Sequence, residues 1–585
     1  MSGICSILSR TRKGELQMNR PSILLIYSFV VLCSAVFAQE KKVFTNPILA
    51  GFYPDPSICR VGGDYYLVNS TFSYFPGITV FHSKDLVNWK LIGHVLERPE
   101  QLNLEGQGVS RGIYAPAIRY HHGRFYVTCT LVDIGGNFIV TSPSASGPWS
   151  NPVWIPQING IDPSLFFDAK GKAYIIYNSV APNDKPLYDG HRSLRMREFD
   201  IKKLHVIGDE KIVVNGGVDL QKKPEWIEGP HLFQKNDYYY LIAAEGGTGD
   251  QHSVVVFRSK SVDGPYLPYE KNPILTQRQL DPKREFAITC TGHADFVQTE
   301  SKKWWAVFLG CRPYPPCEEG YVNTGRETFL APVKWENGWP VIAEGNEKVQ
   351  YRYPLPLPPI LEGTERPYSG NFTWRDEFNS NTLSREWMFL RTPREKWYDQ
   401  KQAPGSLSIR VRPETCAGKS NPSFLGYRQQ HLRGSASTEI FFGAEAENEK
   451  AGLLVFQNEE HFYFLCKSLE GNEPVLQLYA SRDDDSSHGQ MKLITSQKLG
   501  NENGTKGLLL KIEAQGSVYS FSYAYEPQKW HLLKDSVDAR FLSTKVAGGF
   551  VGCVYALYAT SLGRACKNVS RFDWFEYRGD DEVYR

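Results

Sequence analysis

The sequence lacks the long stretches rich in Ala, Leu, Glu and Lys that are typical of helical proteins, which argues against an all-α fold. It also lacks a strong charge of one sign, because 66 Lys and Arg residues nearly balance 64 Asp and Glu residues and leave a formal net charge of +2. Such a balance provides no long-range attraction to nucleic acid or to an acidic membrane surface. Neither is therefore an expected partner.

Cysteine is infrequent and irregularly spaced. Of the eleven cysteines in 585 residues, Cys5 and Cys33 belong to the N-terminal segment, so an odd number is scattered through the rest of a chain long enough for a large core. This pattern argues against a disulfide framework, although Cys311 and Cys317 are near enough in sequence to pair. No spacing of Cys and His is typical of a zinc site.

The N-terminus has the pattern of a targeting segment. Basic residues precede an apolar run over residues 23–32, and Val36-Phe37-Ala38 offers a cleavage site with small residues. The apolar run is short for a transmembrane helix. We predict a signal peptide over residues 1–38, with Met18 as an alternative start, and an exported protein, periplasmic or secreted, that is not inserted in the membrane once the signal is removed.

What the sequence does contain is turn residues and aromatics. It has 50 Gly and 36 Pro, and 13 % of its residues are aromatic, which favours a mostly β protein with many turns. A polar turn followed by aromatic and β-branched residues occurs five times, which predicts five hairpins and a five-bladed β-propeller over residues 44–345. A β-solenoid or two sandwiches are the alternatives. The repeats cover residues 61–68, 122–127, 168–176, 234–242 and 302–308.

A second domain is predicted after the propeller. Residues 346–370 are rich in proline and predict an extended linker. Residues 371–585 then show short strand-like runs separated by polar turns, without a helical period, which predicts a β-sandwich. The predicted fold class is therefore all-β.

Three acidic residues stand just before predicted strands. Asp55-Pro56-Ser57 recurs as Asp162-Pro163-Ser164, and Glu228 precedes a third strand. The proline after each aspartate predicts extended backbone for Asp55 and Asp162, and its missing N–H suits the start of a strand. The innermost strands of propeller blades begin at the same end of a central channel. We therefore expect the three carboxyl groups to converge there.

Paired carboxyl groups are what hydrolysis of a glycosidic bond requires. One protonates the leaving oxygen and the other acts on the opposite side of the sugar; in inverting enzymes it activates water, with the pair about 6.5–9.5 Å apart. A third carboxylate can raise the pKa of the acid by repulsion and orient it. Asp55, Asp162 and Glu228 predict a glycosidase that needs no organic cofactor.

The motifs, in their order along the chain, resemble glycoside hydrolase family 43. The resemblance is greatest to the β-xylosidase and α-L-arabinofuranosidase branch with a C-terminal concanavalin-like β-sandwich, and it spans residues 44 to 580. The motifs are Asn46-Pro47-Ile48, Gly51 to Ser57, Asn69 to Gly77, Ile161 to Ser164, Glu228-Gly229-Pro230-His231, Ala244 to Thr248, Gly292-His293-Ala294-Asp295 and Gly325-Arg326-Glu327-Thr328.

The resemblance implies a role for each acid. Asp55 corresponds to the general base that activates water, Asp162 to the aspartate that tunes and positions the acid, and Glu228 to the general acid. Substrate-binding roles are implied for four further residues. These are Arg326 and His293 at the floor of the pocket, Phe72 as an aromatic wall, and Tyr114, which stands where the family usually has Trp.

The implied activity is exo-acting, inverting hydrolysis that releases terminal xylose or arabinofuranose from plant hemicellulose oligosaccharides. Pentose-containing oligosaccharides or polysaccharide side chains are thus the expected partners. Asp376 and Asp573 are candidate ligands of a structural calcium where the first and last strands of the sandwich meet. Two alternatives stay open: a retaining propeller glycosidase of the fructan-hydrolase type, whose carboxyl groups lie about 5–5.5 Å apart, and a non-catalytic sugar-binding propeller.

Overall fold

The computed structural model describes residues 42–343, 347–360, 366–401, 403–481, 491–500 and 507–585. The predicted signal peptide and Met18 lie outside these residues. By its backbone contacts the chain from Phe44 to Arg585 is one compact unit. No helix in the described ranges is long and apolar enough to cross a membrane.

Five antiparallel sheets follow one another along residues 57–342, as the sequence repeats predict for a five-bladed propeller. Up to that point the strands are β1 (Val43–Thr45), β2 (Ser57–Val61), β3 (Asp64–Asn69), β4 (Tyr74–Phe75), β5 (Gly77–Ser83), β6 (Lys90–Leu96), β7 (Ala117–His121), β8 (Arg124–Leu131), β9 (Gly136–Ser142), β10 (Val153–Trp154), β11 (Gly160–Phe167), β12 (Ala173–Val180), β13 (Arg192–Asp200), β14 (His205–Asn215), β15 (Glu228–Lys235), β16 (Tyr238–Glu245), β17 (Ser253–Ser259), β18 (Leu267–Pro268), β19 (Leu275–Thr276), β20 (Thr289–Gln298), β21 (Trp304–Cys311), β22 (Glu327–Glu336) and β23 (Trp339–Ile342).

Each blade is a sheet whose strands lie in sequence order. The first blade is β2-β3-β5-β6, the next three begin at β7, β11 and β15, and the fifth is β20 to β23; β19 pairs with β17 as an extra strand of the fourth. The first strands of the blades contact one another around a ring, so they form the wall of a central channel. The first hairpin of every blade has a residue with positive φ in its turn, as a tight β-turn requires: Gly62, Gly123, Gly171, Asn236 and Lys302.

The second half of the chain is a β-sandwich of two sheets. One has the order β27-β28-β39-β30-β35-β36-β37 with β25 paired to β39, and the other β34-β33-β32-β31-β38-β29-β26-β4. Before the sandwich, β24 (Arg352–Pro354) pairs with β1 in a separate two-stranded sheet. The strands that follow are β25 (Thr373–Asp376), β26 (Met388–Leu390), β27 (Tyr398–Asp399), β28 (Leu407–Arg410), β29 (Ser423–Arg428), β30 (Arg433–Phe441), β31 (Lys450–Asn458), β32 (His461–Glu470), β33 (Glu473–Ser481), β34 (Met491–Lys498), β35 (Leu508–Gln515), β36 (Val518–Ala524), β37 (His531–Asp538), β38 (Val554–Thr560) and β39 (Val569–Gly579).

Helix is scarce in both halves. The described residues include one α-helix, α1 (Thr544–Ala547), and five single turns of 3-10 helix. These turns are Pro182–Asp184, Leu220–Lys222, Cys317–Glu319, Ala539–Leu542 and Glu582–Tyr584. The prolines of the predicted linker leave room for one short strand, β24.

The propeller and the sandwich are joined by a shared sheet, a common apolar cluster and a buried arginine. Strand β4 belongs to the first blade by sequence but pairs with β26 at the edge of a sandwich sheet, with Phe75 opposite Phe389. One apolar cluster runs from Ile118 in the second blade to Phe575 in the sandwich. A buried Arg312 also donates to Glu327 of the propeller and to Asp581 near the C-terminus, both at 2.6 Å.

All nine cysteines among the described residues are free. The pairing of Cys311 with Cys317 is therefore wrong. The Cys317 thiol donates to the carbonyl of Pro313 at 3.7 Å, and the neighbour of the Cys311 thiol is Cys290, on the strand beside it, which contributes to raising the Cys311 pKa.

Candidate active site

Asp55 stands two residues before the inner strand β2, and Asp162 and Glu228 lie at irregularities of the inner strands β11 and β15. Asp55 and Asp162 have φ of 52° and 56°, so the prediction of extended backbone for them is wrong. The left-handed conformation is costly for a non-glycine residue and is found where function requires a particular orientation. Pairing of β11 with β12 skips between Ile161 and Ser164, and pairing of β15 with β16 skips between Glu228 and His231. Such bulges change the direction of a side chain.

All three predicted acids line one pocket at the mouth of the channel. Phe72, Tyr114, His293 and Arg326 line it too. The convergence deduced from the spacing of the motifs is thus what the fold produces. Four further lining residues were not predicted: Ala115, Ile161, Thr248 and Phe550.

Asp55 lies in a positive environment. Its side chain accepts hydrogen bonds from the hydroxyl of Ser70 at 2.5 Å and from Nη1 of Arg326 at 3.1 Å. Burial by itself raises the pKa of Asp55, but the charge of Arg326 and the hydrogen bond from Ser70 lower it below its ordinary value. Asp55 is therefore ionised at neutral pH.

The surroundings of Glu228 and Asp162 raise the pKa of each group, whereas those of Asp55 lower its pKa. Burial and then the charge of Asp55 raise the pKa of Glu228 to about 7. Burial and then Glu228 and Asp55 raise the pKa of Asp162 well above its ordinary value, against the backbone N–H of Gly229 that donates to it at 3.0 Å. These two carboxyl groups cannot both be charged near neutral pH, so the pair retains a proton beside an ionised Asp55.

The source of the repulsion differs in part from the expectation. We expected the third carboxylate, Asp162, to raise the pKa of the acid. In the structure burial is the largest cause for Glu228, and Asp55 is the charge that follows it. The pKa of Asp162 is itself raised. Its carboxylate is held in place by the backbone N–H of Gly229, the residue next to the acid Glu228.

An aromatic wall closes one side of the pocket. The Phe72 ring stacks against Phe550 with centroids 5.9 Å apart, and Tyr114 meets both rings at steep angles. The guanidinium of Arg326 lies over Phe72 and Phe550 at 5.7 and 5.3 Å. Phe550 comes from the sandwich, and its backbone N–H is held by Ser110 of the propeller at 2.9 Å. The second domain therefore supplies part of the pocket.

The floor of the pocket is His293 under the backbone of Gly229. A Cβ atom at position 229 would lie 2.7 Å from the imidazole, and Gly229 has φ of +56°, so both space and conformation require glycine there. His293 Nδ1 is 3.9 Å from Asp55. Burial lowers the pKa of His293, so the ring is neutral and contributes a hydrogen-bonding edge rather than a charge.

Arg326 retains donor capacity for a ligand. Its Nη1 is used by Asp55, and its Nη2 contacts the carbonyl of Phe550 at 3.5 Å. Its buried Nε has no hydrogen-bond partner. A donor of this kind is costly to bury unless a ligand satisfies it, and a sugar hydroxyl is a suitable acceptor.

The candidate calcium ligands have other contacts. The carboxylate of Asp376 accepts from the backbone N–H of Phe378 at 2.9 Å and from the indole of Trp387 at 2.8 Å. In the described part of the chain no group of three or more His, Cys, Asp or Glu residues is arranged to hold a metal ion. The calcium site of Asp376 and Asp573 stays a prediction.

Comparison with known proteins agrees with this geometry. A family model described as glycosyl hydrolases family 43 matches residues 44–340. The chain belongs to this family. A second model, the β-xylosidase C-terminal concanavalin A-like domain, matches residues 375–578 of this family 43 protein. Together the two models account for the propeller and the sandwich.

Relatives of this family 43 hydrolase match over nearly their whole length. A xylosidase/arabinosidase of Butyrivibrio fibrisolvens is 37 % identical over 91 % of this chain and 99 % of its own. A non-reducing end α-L-arabinofuranosidase of Bacteroides ovatus is 37 % identical over 96 % of this chain and 99 % of its own. A solved family 43 structure from a capybara gut metagenome has a TM-score of 0.81 at 40 % identity, covering 90 % of this chain and 96 % of that one.

Proposed function

We propose that this family 43 hydrolase releases single terminal xylose or arabinofuranose units from hemicellulose oligosaccharides with inversion of configuration. The observation that carries the proposal is the opposite pKa shift of two carboxyl groups in one pocket. The pKa of Asp55 is lowered, so this group is charged at neutral pH. The pKa of Glu228 is raised to about 7, so this group is protonated below pH 7. A base and an acid in these states are what single-step hydrolysis needs.

Each residue then has one task. Glu228 gives its proton to the glycosidic oxygen as the bond to the anomeric carbon breaks. Asp55 takes a proton from a water molecule that attacks the same carbon from the opposite face. Asp162 also faces Glu228. Because the two carboxyl groups cannot both be charged near neutral pH, the pair retains a proton until Glu228 donates it to the glycosidic oxygen. Arg326 holds Asp55 ionised and offers its free Nε to a sugar hydroxyl.

The shape of the site favours removal of terminal units. Phe550 of the sandwich, stacked on Phe72, closes one side of the pocket, so a long polymer has less room to pass through it. Relatives named for xylosidase and arabinofuranosidase activity support a pentose in this pocket. Tyr114 stands in the pocket with its hydroxyl bonded to Arg111 at 2.9 Å, and it is a candidate for the choice between the two sugars.

The test is hydrolysis of p-nitrophenyl β-D-xyloside and p-nitrophenyl α-L-arabinofuranoside, followed by product analysis on arabinoxylan, arabinan and xyloglucan oligosaccharides. We expect release of monosaccharide from one or both pentosides. Proton NMR of the first sugar formed should show the inverted anomer. A retained anomer would identify a double-displacement mechanism instead and would overturn the role of Asp55 as base.

We also propose that the protein is exported. The support is the basic and apolar pattern of residues 1–38. N-terminal sequencing of the protein purified from its own cells should begin close after Ala38, and an N-terminus that retains the apolar run would contradict export by signal cleavage.

A further inference from the structure

A second set of polar side chains lies along the channel, and three of its five members closely follow an acid in sequence. Every blade contributes one member from its inner strand. Four of the five are buried, and the side chain of the fifth, Arg119, is 15 % exposed. We call this set the channel ring: Ser57 on β2, Arg119 on β7, Ser164 on β11, His231 on β15 and Asp295 on β20.

Arg119 is the centre of the channel ring. Its Nη1 donates to Asp295 at 2.8 Å and to Ser57 at 3.2 Å. Its Nη2 contacts Nδ1 of His231 at 2.9 Å and donates to Ser164 at 3.3 Å. One planar guanidinium thus holds a residue from each of the other four blades, a task for which its fork of donors is suited.

The remaining members also bond to one another. The hydroxyl of Ser57 donates to Asp295 at 2.7 Å, and that of Ser164 lies 2.9 Å from Nδ1 of His231. Burial lowers the pKa of His231 to about 3, so its ring is neutral and Nδ1 accepts from Arg119. Arg119 and Asp295 are then the charged pair at the centre of an otherwise neutral network.

Three of the five members of the channel ring follow an acid by two or three residues. Ser57 and Ser164 come two residues after Asp55 and Asp162, and His231 comes three residues after Glu228, past a bulge. Only one or two residues of backbone separate each of these acids from its ring member, so the two are linked through a very short stretch of chain. A displacement of Ser57, Ser164 or His231 is therefore transmitted through the backbone to the acid that precedes it.

We infer that Arg119 is a positioning residue that sets the separation of the catalytic carboxyl groups by joining the inner strands of all five blades. The second blade supplies none of the three acids, and through Arg119 it holds the blades that do. The inference rests on the proposed roles of Asp55, Asp162 and Glu228. A plain structural ion pair would affect stability alone, whereas a positioning role affects turnover by the folded enzyme.

The test is steady-state kinetics of Arg119→Gln and Arg119→Lys on the pentoside that the parent enzyme hydrolyses best. Misplacement of catalytic groups by about 1 Å costs on the order of 100-fold in rate. We expect kcat of Arg119→Gln to fall about 100-fold with KM within about 3-fold, because Arg326 and Phe550 are outside the ring. Arg119→Lys keeps the charge but loses the fork, and should recover about tenfold of the loss.

A matched control is Arg124→Gln, at an exposed arginine in the same blade. It should leave kcat and KM unchanged. If Arg119→Gln fails to fold, the double variant Arg119→Met, Asp295→Asn removes both charges and should fold with the same loss of kcat. A folded variant with the parent kcat, in either form, would overturn the inference. A parent enzyme inactive on every pentoside would instead overturn the proposed function, and this inference with it.

Discussion

The first and third blades carry the same tripeptide, Asp-Pro-Ser, with opposite electrostatic outcomes. Both aspartates have a left-handed backbone and a buried side chain. Asp55 nevertheless has a lowered pKa and Asp162 a raised one. The local sequence therefore presents a carboxyl group to the channel but does not determine its charge.

The difference comes from residues that other blades bring to each aspartate. Asp55 faces Arg326 of the fifth blade and accepts from Ser70, whereas Asp162 faces Glu228 of the fourth blade and accepts from a backbone N–H. A closed ring of blades places one copy beside a cation and the other beside a second acid. The protein thus obtains a base and a proton-holding partner from one repeated motif.

The largest effect should come from removing the charged copy. Asp55→Asn keeps the shape of the side chain but removes the base, so we expect kcat to fall about 10⁴-fold. The measurement is the initial rate on the preferred pentoside, with folding checked by circular dichroism. Asp237→Asn, in an exposed turn of the fourth blade, is the control and should keep the parent rate. A loss under tenfold for Asp55→Asn would contradict its role.

Removal of the acid should depend on the leaving group. Glu228→Gln cannot protonate the glycosidic oxygen, so we expect kcat to fall about 10³-fold on a xylo- or arabino-oligosaccharide. The loss should be clearly smaller on a dinitrophenyl glycoside, whose leaving group needs no proton. Equal losses on the two substrates would remove Glu228 from the acid role.

The copy in the third blade should give a smaller loss and a shifted pH profile. Asp162→Asn removes the carboxyl group with which Glu228 shares a proton, so we expect kcat to fall about 100-fold and the alkaline limb of the profile to move to lower pH. In the parent enzyme that limb should lie near pH 7, where Glu228 loses its proton. A variant with an unmoved limb would mean that Asp162 acts on position alone.

The raised pKa of Glu228 should also make the free energy of unfolding depend on pH. The pKa of Glu228 rises from 4.5 to about 7 on folding. The contribution of this group to the stability of the folded protein is therefore fully present below about pH 4.5 and is lost as the pH rises through 7. Glu228→Gln should therefore raise the free energy of unfolding by about 1–3 kcal/mol at pH 8 and change it little at pH 4. Urea unfolding at both pH values measures this, and an equal effect at both would refute the raised pKa.

The smallest expected effect concerns the wall supplied by the sandwich. Phe550→Ala removes one ring of the stacked pair, worth roughly 1 kcal/mol, so we expect KM to rise about 5- to 10-fold with kcat within about 3-fold. Leu532→Ala, at an exposed position of the sandwich, is the control. An unchanged KM would mean that the sandwich does not contribute to sugar binding.

The sequence predicted the blades and the acids because their signals are local and repeated. Each hairpin has its own turn residues, and even Lys302, a poor turn residue, adopts the required positive φ when the neighbouring strands pair. The left-handed backbone of Asp55 was missed because the following proline disfavours helix without specifying which other conformation is adopted.

Other parts of the site depend on contacts between distant segments. Phe550 lies more than 400 residues from its stacking partner Phe72, and no motif around it indicates a pocket. Thr248 belongs to a motif shared with the family, but its place in the sequence does not assign it to the pocket without the fold. The channel ring was missed for the same reason, since Arg119 has no repeated counterpart in the sequence.

The two-residue strand β4 has a consequence for how this enzyme can be divided. Because Tyr74 and Phe75 leave the first blade to complete a sheet of the sandwich, a chain ending at residue 345 would expose an unpaired edge and lose Phe550 as well. Heating should accordingly melt the molecule in a single transition rather than in two. Evolution could then exchange neither half for an unrelated module without rebuilding the other.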